Sequence, residues 1–268
     1  MSGQVVTPRS ASRVTGMIRV TPDWDLADLI EQHWIVAWDR RGQAPIRREV
    51  LPDPSVNLAV EPSGGLLYGV GSGYSVRELE GHGTVIGTKF RPGAFSGFVP
   101  GSVSALSGRV LTLSDAFGRA GAELDSRLAA VTDITAVITE VSRFVRAHRP
   151  APDGRRSLAM EIVEAMRVAT PDTPVTEIAA SFALSVRTLQ RLFTEHVGTT
   201  PKQVLQRYRR QSAIDRLSEE TDTNIARLAA ELGYSDQSHL ARDLDATLGR
   251  SPSAVRASSN HDLSSDAI

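Results

Sequence analysis

Residues 191–201 read RLFTEHVGTTP and residues 242–252 read RDLDATLGRSP, so Arg, two apolar positions, Gly and Ser/Thr-Pro recur in one register. Upstream, Ile178-Ala179 corresponds to Leu228-Ala229, Ala183 to Gly233 and Ser185 to Ser235, all at an offset of fifty. Past that turn the offset is fifty-one, pairing Arg191 with Arg242, Phe193 with Leu244, Gly198 with Gly249 and Pro201 with Pro252. One residue is therefore inserted in the second turn. Each copy has the order helix, small residue, tight turn, Ser cap, second helix, Gly stop and Pro restart, which is a helix-turn-helix written twice.

The residue chemistry at each step agrees with that order. Ser185 and Ser235 are placed to accept from the free N–H groups that open the second helix of each copy. Gly198 and Gly249 supply left-handed stops. Thr200-Pro201-Lys202-Gln203 carries an N-cap, a Pro at the first helical position and a Gln three residues after the cap. Ala179 and Ala229 are small where two crossing helices must approach. On a wheel at about 100° per residue, Leu189, Leu192 and Phe193 share one face of the helix after Ser185. Arg187, Gln190 and Arg191 share the other, and Arg and Gln suit the guanine and adenine edges of a major groove. A plain solvated face, with Arg191 paired to Glu195, is the competing reading; the duplication argues against it.

Between the copies, PKQVLQRYRRQSAIDRL reads as a helix whose Val204, Leu205, Tyr208, Ala213 and Leu217 would span both motifs. The net charge of the chain is −1, yet from Arg187 to Arg216 there are seven basic residues against Glu195 and Asp215. Such a local excess suits phosphate contact, and Lys202, Arg207, Arg209 and Arg210 are the expected phosphate ligands.

The strings SVRTLQRLFTEHVGTTPKQVL and IARLAAELGYSDQSHLARDLDATLGRSPSAVR resemble the DNA-binding domain of AraC/XylS-type transcriptional regulators. The resemblance implies two recognition helices on one rigid unit that enter successive major grooves. It places base contacts on Arg187, Gln190 and Arg191, then on Gln237, Ser238, His239 and Arg242. The chain departs from the family at Leu240 and Leu244, where an aromatic is usual, and at Asp245, where a basic residue is usual. From Leu217 to Arg256 there are four basic and seven acidic residues. With Asp243 and Asp245 both acidic, the second motif is expected to bind DNA more weakly than the first.

The other half of the chain has a different texture. From about Asp23 to Asp115, short apolar bursts (WIVAW, VNLAV, LLYGV, TVIGTKF, RVLTL) alternate with turn signals such as LPDP, EPSGG and RPGA, which suggests an all-β sandwich or barrel. LPDPSVNLAV and GTKFRPGAFSGF resemble, more loosely, the cupin-like sensor half found on some of these regulators, which implies a small effector, a dimer contact or both. His33 and His82 stand alone rather than in a metal-binding set, so no metal or other cofactor is expected and both histidines read as structural or exposed. Trp24, Trp34 and Trp38 are candidates for the walls of an apolar pocket, or for the core. From Asp115 the apolar period becomes helical. Leu124, Leu128, Val131, Ile134, Val137, Ile138, Val141 and Val145 offer more apolar surface than one helix pair consumes, so this stretch is expected to mediate dimerisation unless it packs under the β region.

The expected organisation is α+β in two domains. A tail (1–15) precedes a β-rich cupin-like sensor domain (16–115), a helical dimerisation or linker segment (116–150), an all-α double helix-turn-helix domain (156–257) and a second tail (258–268), both tails disordered. There are no cysteines. That excludes disulfides and thiol chemistry, including the alkyl transfer to cysteine found in repair enzymes that share this DNA-binding unit. No nucleophile elbow, zinc-protease motif or dinucleotide fingerprint occurs, so the chain is not expected to be an enzyme. No apolar run reaches the roughly 18 residues of a membrane span or the pattern of a signal peptide. A cytoplasmic, sequence-specific transcription regulator is the expected function. Its expected partners are double-stranded DNA, an unidentified small-molecule effector, RNA polymerase and a second copy of the chain, without a membrane. The alternative is a small-ligand-binding protein whose DNA-binding unit is weakened and partly degenerate.

Overall fold

The computed structural model describes residues 17–50, 53–71, 75–219, 224–249, 251–257 and 263–264. The expected tail over 1–15 lies outside the described residues, as does 258–268 apart from Leu263–Ser264. The order of elements is α+β, with strands in the first half and helices in the second. The strands are β1 (Ile18–Val20), β2 (Ile30–Asp39), β3 (Ile46–Val50), β4 (Asn57–Glu61), β5 (Gly64–Tyr68), β6 (Ser75–Leu79), β7 (His82–Phe90), β8 (Val110–Thr112) and β9 (Leu263–Ser264). The helices are α1 (Leu113–Phe117), α2 (Arg119–Ala129), α3 (Ile134–Ala147), α4 (Gly154–Val168), α5 (Val175–Ser181), α6 (Val186–His196), α7 (Pro201–Glu219), α8 (Ile225–Glu231), α9 (Gln237–Leu248) and α10 (Pro252–Ala257).

Six strands form one antiparallel sheet in the order β1-β2-β7-β4-β5-β8, and β6, β3 and β9 form a second. In the tail, where disorder is expected, Leu263–Ser264 pairs in parallel with β3. The long β2–β7 pair sets the register of the large sheet, with His33 opposite Thr88, Trp34 opposite Gly87 and Ile35 opposite Ile86. Side chains alternate across it. Ile35, Leu58, Leu67, Ile86 and Phe90 point into the main core, whereas Trp34, Ala59 and Tyr68 build a smaller cluster on the opposite face. Gly87 is required there, because a Cβ on it would stand 1.9 Å from the Trp34 indole. The second sheet reaches this face through Arg77, whose guanidinium lies over the Tyr68 ring and donates to its hydroxyl at 2.7 Å.

The helices α1–α3 cover the core face. Thr112 caps α1 and Asp133 caps α3, each accepting from the backbone N–H three residues on. Asp125 on α2 accepts from the Gly65 N–H at 2.7 Å, and Arg146 on α3 pairs with Asp23 and Asp25. Leu124, Leu128, Val137, Val141 and Val145 are all buried in the main core, with Val131, Ile134 and Ile138 packed against it. The apolar surplus that suggested dimerisation is therefore consumed under the sheet. The three tryptophans line no common pocket either. Trp34 is buried, Trp38 donates to the Glu80 carbonyl at 2.9 Å, and Trp24 is 91 % exposed.

His33 is the polar group deepest in this half. Its Nδ1 lies 2.9 Å from Thr88 Oγ1, and its buried Nε2 has no partner. Burial pushes its pKa down to about 4, against a smaller opposing pull from Asp23. The unfolded chain takes up this proton from about pH 6.5 downward, whereas the folded chain resists until about pH 4. Stability is thus full above about pH 6.5 and declines between those values as pH falls. We expect His33→Gln to shrink the difference in urea-unfolding free energy between about pH 7.5 and about pH 5 by about 2 kcal/mol. An unchanged difference would place the acid sensitivity elsewhere.

Candidate nucleic-acid interface

The duplication in the sequence is a duplication in three dimensions. In the first copy, α5 ends at Ser181, Ala183 takes a left-handed conformation at φ 53°, and the Leu184 N–H donates to the Ala179 carbonyl at 2.9 Å. In the second, Gly233 has φ 70° and the Tyr234 N–H donates to the Ala229 carbonyl at 2.9 Å. Ala183 is the only non-glycine residue at positive φ among the described residues. The turn imposes that geometry whichever residue occupies it. Ala179 and Ala229, at the helix crossings, are buried.

The two caps differ. Ser185 Oγ accepts from the Thr188 N–H at 3.1 Å, as its position predicts. In the second copy the cap is Asp236 rather than Ser235, accepting from the His239 N–H at 2.8 Å. The residue inserted in that turn moves the cap one place along, and Ser235 instead lies 3.2 Å from His239 Nδ1. Thr200 and Gln203 form the reciprocal capping box that opens α7, with bonds of 3.2 and 3.0 Å. Gly249 ends α9 in the left-handed conformation.

These caps and turns present two exposed polar faces. On α6, Leu189, Leu192 and Phe193 are buried, while Arg187, Gln190 and Arg191 are exposed. The Arg191–Glu195 pair does not form, because Glu195 pairs with Arg155 at 2.5 Å. On α9, Leu240 and Leu244 are buried, while Gln237, Ser238, His239 and Arg242 are exposed. His239 is held edge-on to the Tyr234 ring, and Arg242 Nε donates to the Ser238 carbonyl. Thr194, one turn beyond Gln190 and Arg191, is also exposed on α6, its hydroxyl donating to the Gln190 carbonyl. Helical spacing from Gln190 was the signal that would have added it.

The basic residues of α7 separate into two groups. Lys202 is exposed near the helix start. Arg207 is only 7 % exposed, donating to Gln211 at 2.8 Å and lying 3.7 Å from Asp53 of the β half. Arg209 donates through Nε to the Pro171 carbonyl at 2.7 Å, and its guanidinium sits over the Tyr234 ring. Arg210 bonds Thr247 at 3.1 Å and lies 3.5 Å from Asp243. Arg207, Arg209 and Arg210, expected as phosphate ligands, thus each have partners within the protein in the absence of DNA. Asp243 is partnered likewise. It accepts from the Tyr234 hydroxyl at 2.8 Å, so of the two acids within α9 only Asp245 is exposed.

The β half rests on the end of α6. Ser96 Oγ lies 2.7 Å from Nδ1 of buried His196 at the end of α6, and Ser107 donates to the Gly198 carbonyl at 2.5 Å. Burial lowers the His196 pKa and outweighs the opposing pull of Glu195 and Asp153. Arg156 of α4 donates to the Ser96 carbonyl at 3.1 Å. Beside these contacts lies a cleft of about 460 Å3, lined by Lys89 and Arg91 from the β half and by Met160, Arg167 and Tyr208 from the helices. Among the described residues, no helix is long and apolar enough to cross a membrane.

Comparison with known proteins divides the chain in the same way. Residues 178–258 match a family of helix-turn-helix domains, and residues 18–112 match a family described as a domain of unknown function, DUF6597. The HTH-type transcriptional activator RhaS of Pectobacterium atrosepticum is 33 % identical over 79 residues, which are 30 % of this chain and 28 % of that protein. RhaS of Escherichia fergusonii is 35 % identical over the same length and shares. The chain thus spans little more than a quarter of the length of these curated relatives. Among solved structures, an AraC-type DNA-binding domain protein from Chromobacterium violaceum is 24 % identical with a TM-score of 0.36, covering 39 % of this chain and 93 % of that one. ToxT of Vibrio cholerae is 12 % identical with a TM-score of 0.40, covering 90 % and 96 %. With its paired turns, its two exposed polar helix faces and this match over 178–258, the C-terminal unit of the chain is a helix-turn-helix domain.

Proposed function

We propose that the chain is a sequence-specific, DNA-binding transcription regulator of the cytoplasm and not an enzyme, with α6 and α9 entering successive major grooves of one duplex. The observation that carries this reading is the pair of exposed polar faces, Arg187/Gln190/Arg191 and Gln237/Ser238/His239/Arg242, mounted on helix-turn-helix units that share α7. Their different residues make the site of one monomer asymmetric. The cleft between the halves supports modulation by a small effector. Its Tyr208 phenol is kept protonated chiefly by burial and next by Asp53 and Glu31, so it is a hydrogen-bond donor on the DNA-binding side. The test is a footprint on DNA upstream of the gene, where protection is expected over two successive major grooves about one helical turn apart. Protection of a single groove overturns the reading.

Arg191→Ala is expected to cost about 1–3 kcal/mol and to relax preference at one base position, as loss of a bidentate base contact does. Uniform weakening across all sequences would make Arg191 a backbone contact instead.

Salt titrations should separate the cations of α7. Lys202→Ala is expected to reduce the slope of log affinity against log salt by about one, whereas Arg207→Met leaves it unchanged because that guanidinium is turned toward Asp53. A reduced slope for Arg207→Met would restore it as a phosphate ligand.

The exposed carboxylate of Asp245 repels phosphate near Arg242, so α6 is proposed as the principal reader. Asp245→Lys is expected to tighten cognate and non-cognate DNA alike, and Arg242→Ala to do less damage than Arg191→Ala. The opposite ranking in a gel shift would make α9 the principal reader.

A further inference from the structure

Two grooves can be read at once only if two helices are held at one distance and one angle. The described contacts show where that geometry is set. The Gly233-Tyr234 turn of the second unit lies directly on the Pro171-Asp172 loop that precedes α5 of the first. A Cβ on Gly233 would stand 2.7 Å from the Asp172 Cβ. Arg209 reaches both sides of this seam, donating to the Pro171 carbonyl at 2.7 Å and to the Gly233 carbonyl at 3.4 Å, with its guanidinium 5.5 Å from the Tyr234 ring centroid. From Tyr234 the chain of contacts continues into the second reader itself. The Tyr234 hydroxyl donates to Asp243 on α9, and Arg210 joins Asp243 to Thr247, also on α9.

We propose that Arg209 is a positioning residue that locks the two helix-turn-helix units at one mutual orientation, and so sets the spacing of DNA half-elements that the protein accepts. The planar guanidinium suits this seam. It bonds a carbonyl from each unit and stacks on the ring that orients α9, which a lysine ammonium cannot do in one geometry. Each bond on its own is modest. Their placement matters because α7, the other link between the units, is a single helix.

The proposal rests on the DNA-binding reading for its consequence but not for its geometry, and the test separates the two. The chain has no cysteine, so Thr194→Cys on α6 and Ala246→Cys on α9 introduce a unique pair of spin labels at exposed sites. In DNA-free protein, one narrow distance distribution is expected, and Arg209→Met is expected to broaden it. A distribution unchanged by Arg209→Met overturns the proposal. On duplexes, one base pair inserted between half-elements rotates them by roughly 34°. The parent is expected to lose about tenfold or more in affinity for that duplex. Arg209→Met loses most of this discrimination while keeping its salt slope and its affinity for a single half-element. Uniform weakening with a shallower salt slope makes Arg209 a phosphate ligand and overturns the proposal. Failure of the parent to bind any duplex overturns the DNA-binding reading, and the label distances still decide the joint. Gly233→Ala guards against an unfolded Arg209→Met. Ala183 already occupies the matching left-handed position in the first turn, so alanine at 233 chiefly tests the approach to Asp172 and is expected to broaden the distances too. Unchanged distances in Gly233→Ala also overturn the tight joint.

Discussion

Helix α7 belongs to two cores at once, and the architecture of the C-terminal unit follows from that. Val204 is buried with Ile178, Leu189 and Phe193 of the first motif, whereas Ala213, Ile214 and Leu217 are buried with Leu228, Leu240 and Leu244 of the second. Each core also draws on a flanking helix, α4 in the first through Ile162 and Met166 and α10 in the second through Val255. Sharing one long helix lets each half bury its stripe and ties the reader of one unit to that of the other. The apolar positions of α7 therefore move from one side of the helix to another along its length. Its outward polar positions move with them, and this turns Arg207, Arg209 and Arg210 toward neighbours instead of toward solvent.

That rotation explains what was legible in the sequence and what was not. Turn chemistry and caps are local. The positions of Ala183, Gly233, Ser185, Thr200 and Gln203 therefore announced their structures from a few flanking residues. The apolar bursts that became β2 and β7 and the exposed face of α6 were legible for the same reason, whereas the face of α9 was expected from the resemblance. A long cation is not local. Arg209 finds its acceptors at Pro171 and near Gly233, thirty-eight and twenty-four residues away. Counting charge between Arg187 and Arg216 measures a field without showing where each guanidinium points. The Ser235 cap failed at a finer grain, where the inserted residue shifted the helix start by one position. The apolar surface of α2 and α3 that prompted the dimer expectation packs under the sheet, a destination invisible until that sheet is known.

The acidic character of the second reader changes meaning once partners are visible. Asp243 and Asp245 stand two apart, so about 200° separates them on the helix. They cannot serve the same face. Asp243 turns inward to Tyr234 and Arg210 and stabilises the reader from behind, and Asp245 alone faces outward. A net count of charge over α9 therefore overstates the repulsion that DNA would meet there. It also hides that one of these carboxylates belongs to the machinery that orients the helix.

The two readers are anchored differently. The far end of α6 is held by the β half as well as by α7, through Ser96 at His196, Ser107 at Gly198 and the packing of Val70 and Val103 around Gly198. A side chain at Gly198 would meet those valines at 2.9–3.0 Å, so the β half and the end of α6 leave no slack between them. The described polar contacts of α9 run instead to its own unit and to α7. A displacement of the β half thus acts on the first reader directly, and on the second only through α7 and the seam at Arg209. Rigidity at that seam decides whether such a displacement moves both readers together, preserving their spacing, or tilts one against the other. On the proposed reading, any coupling from the β half to DNA would depend on the joint between the readers as much as on the junction between the halves.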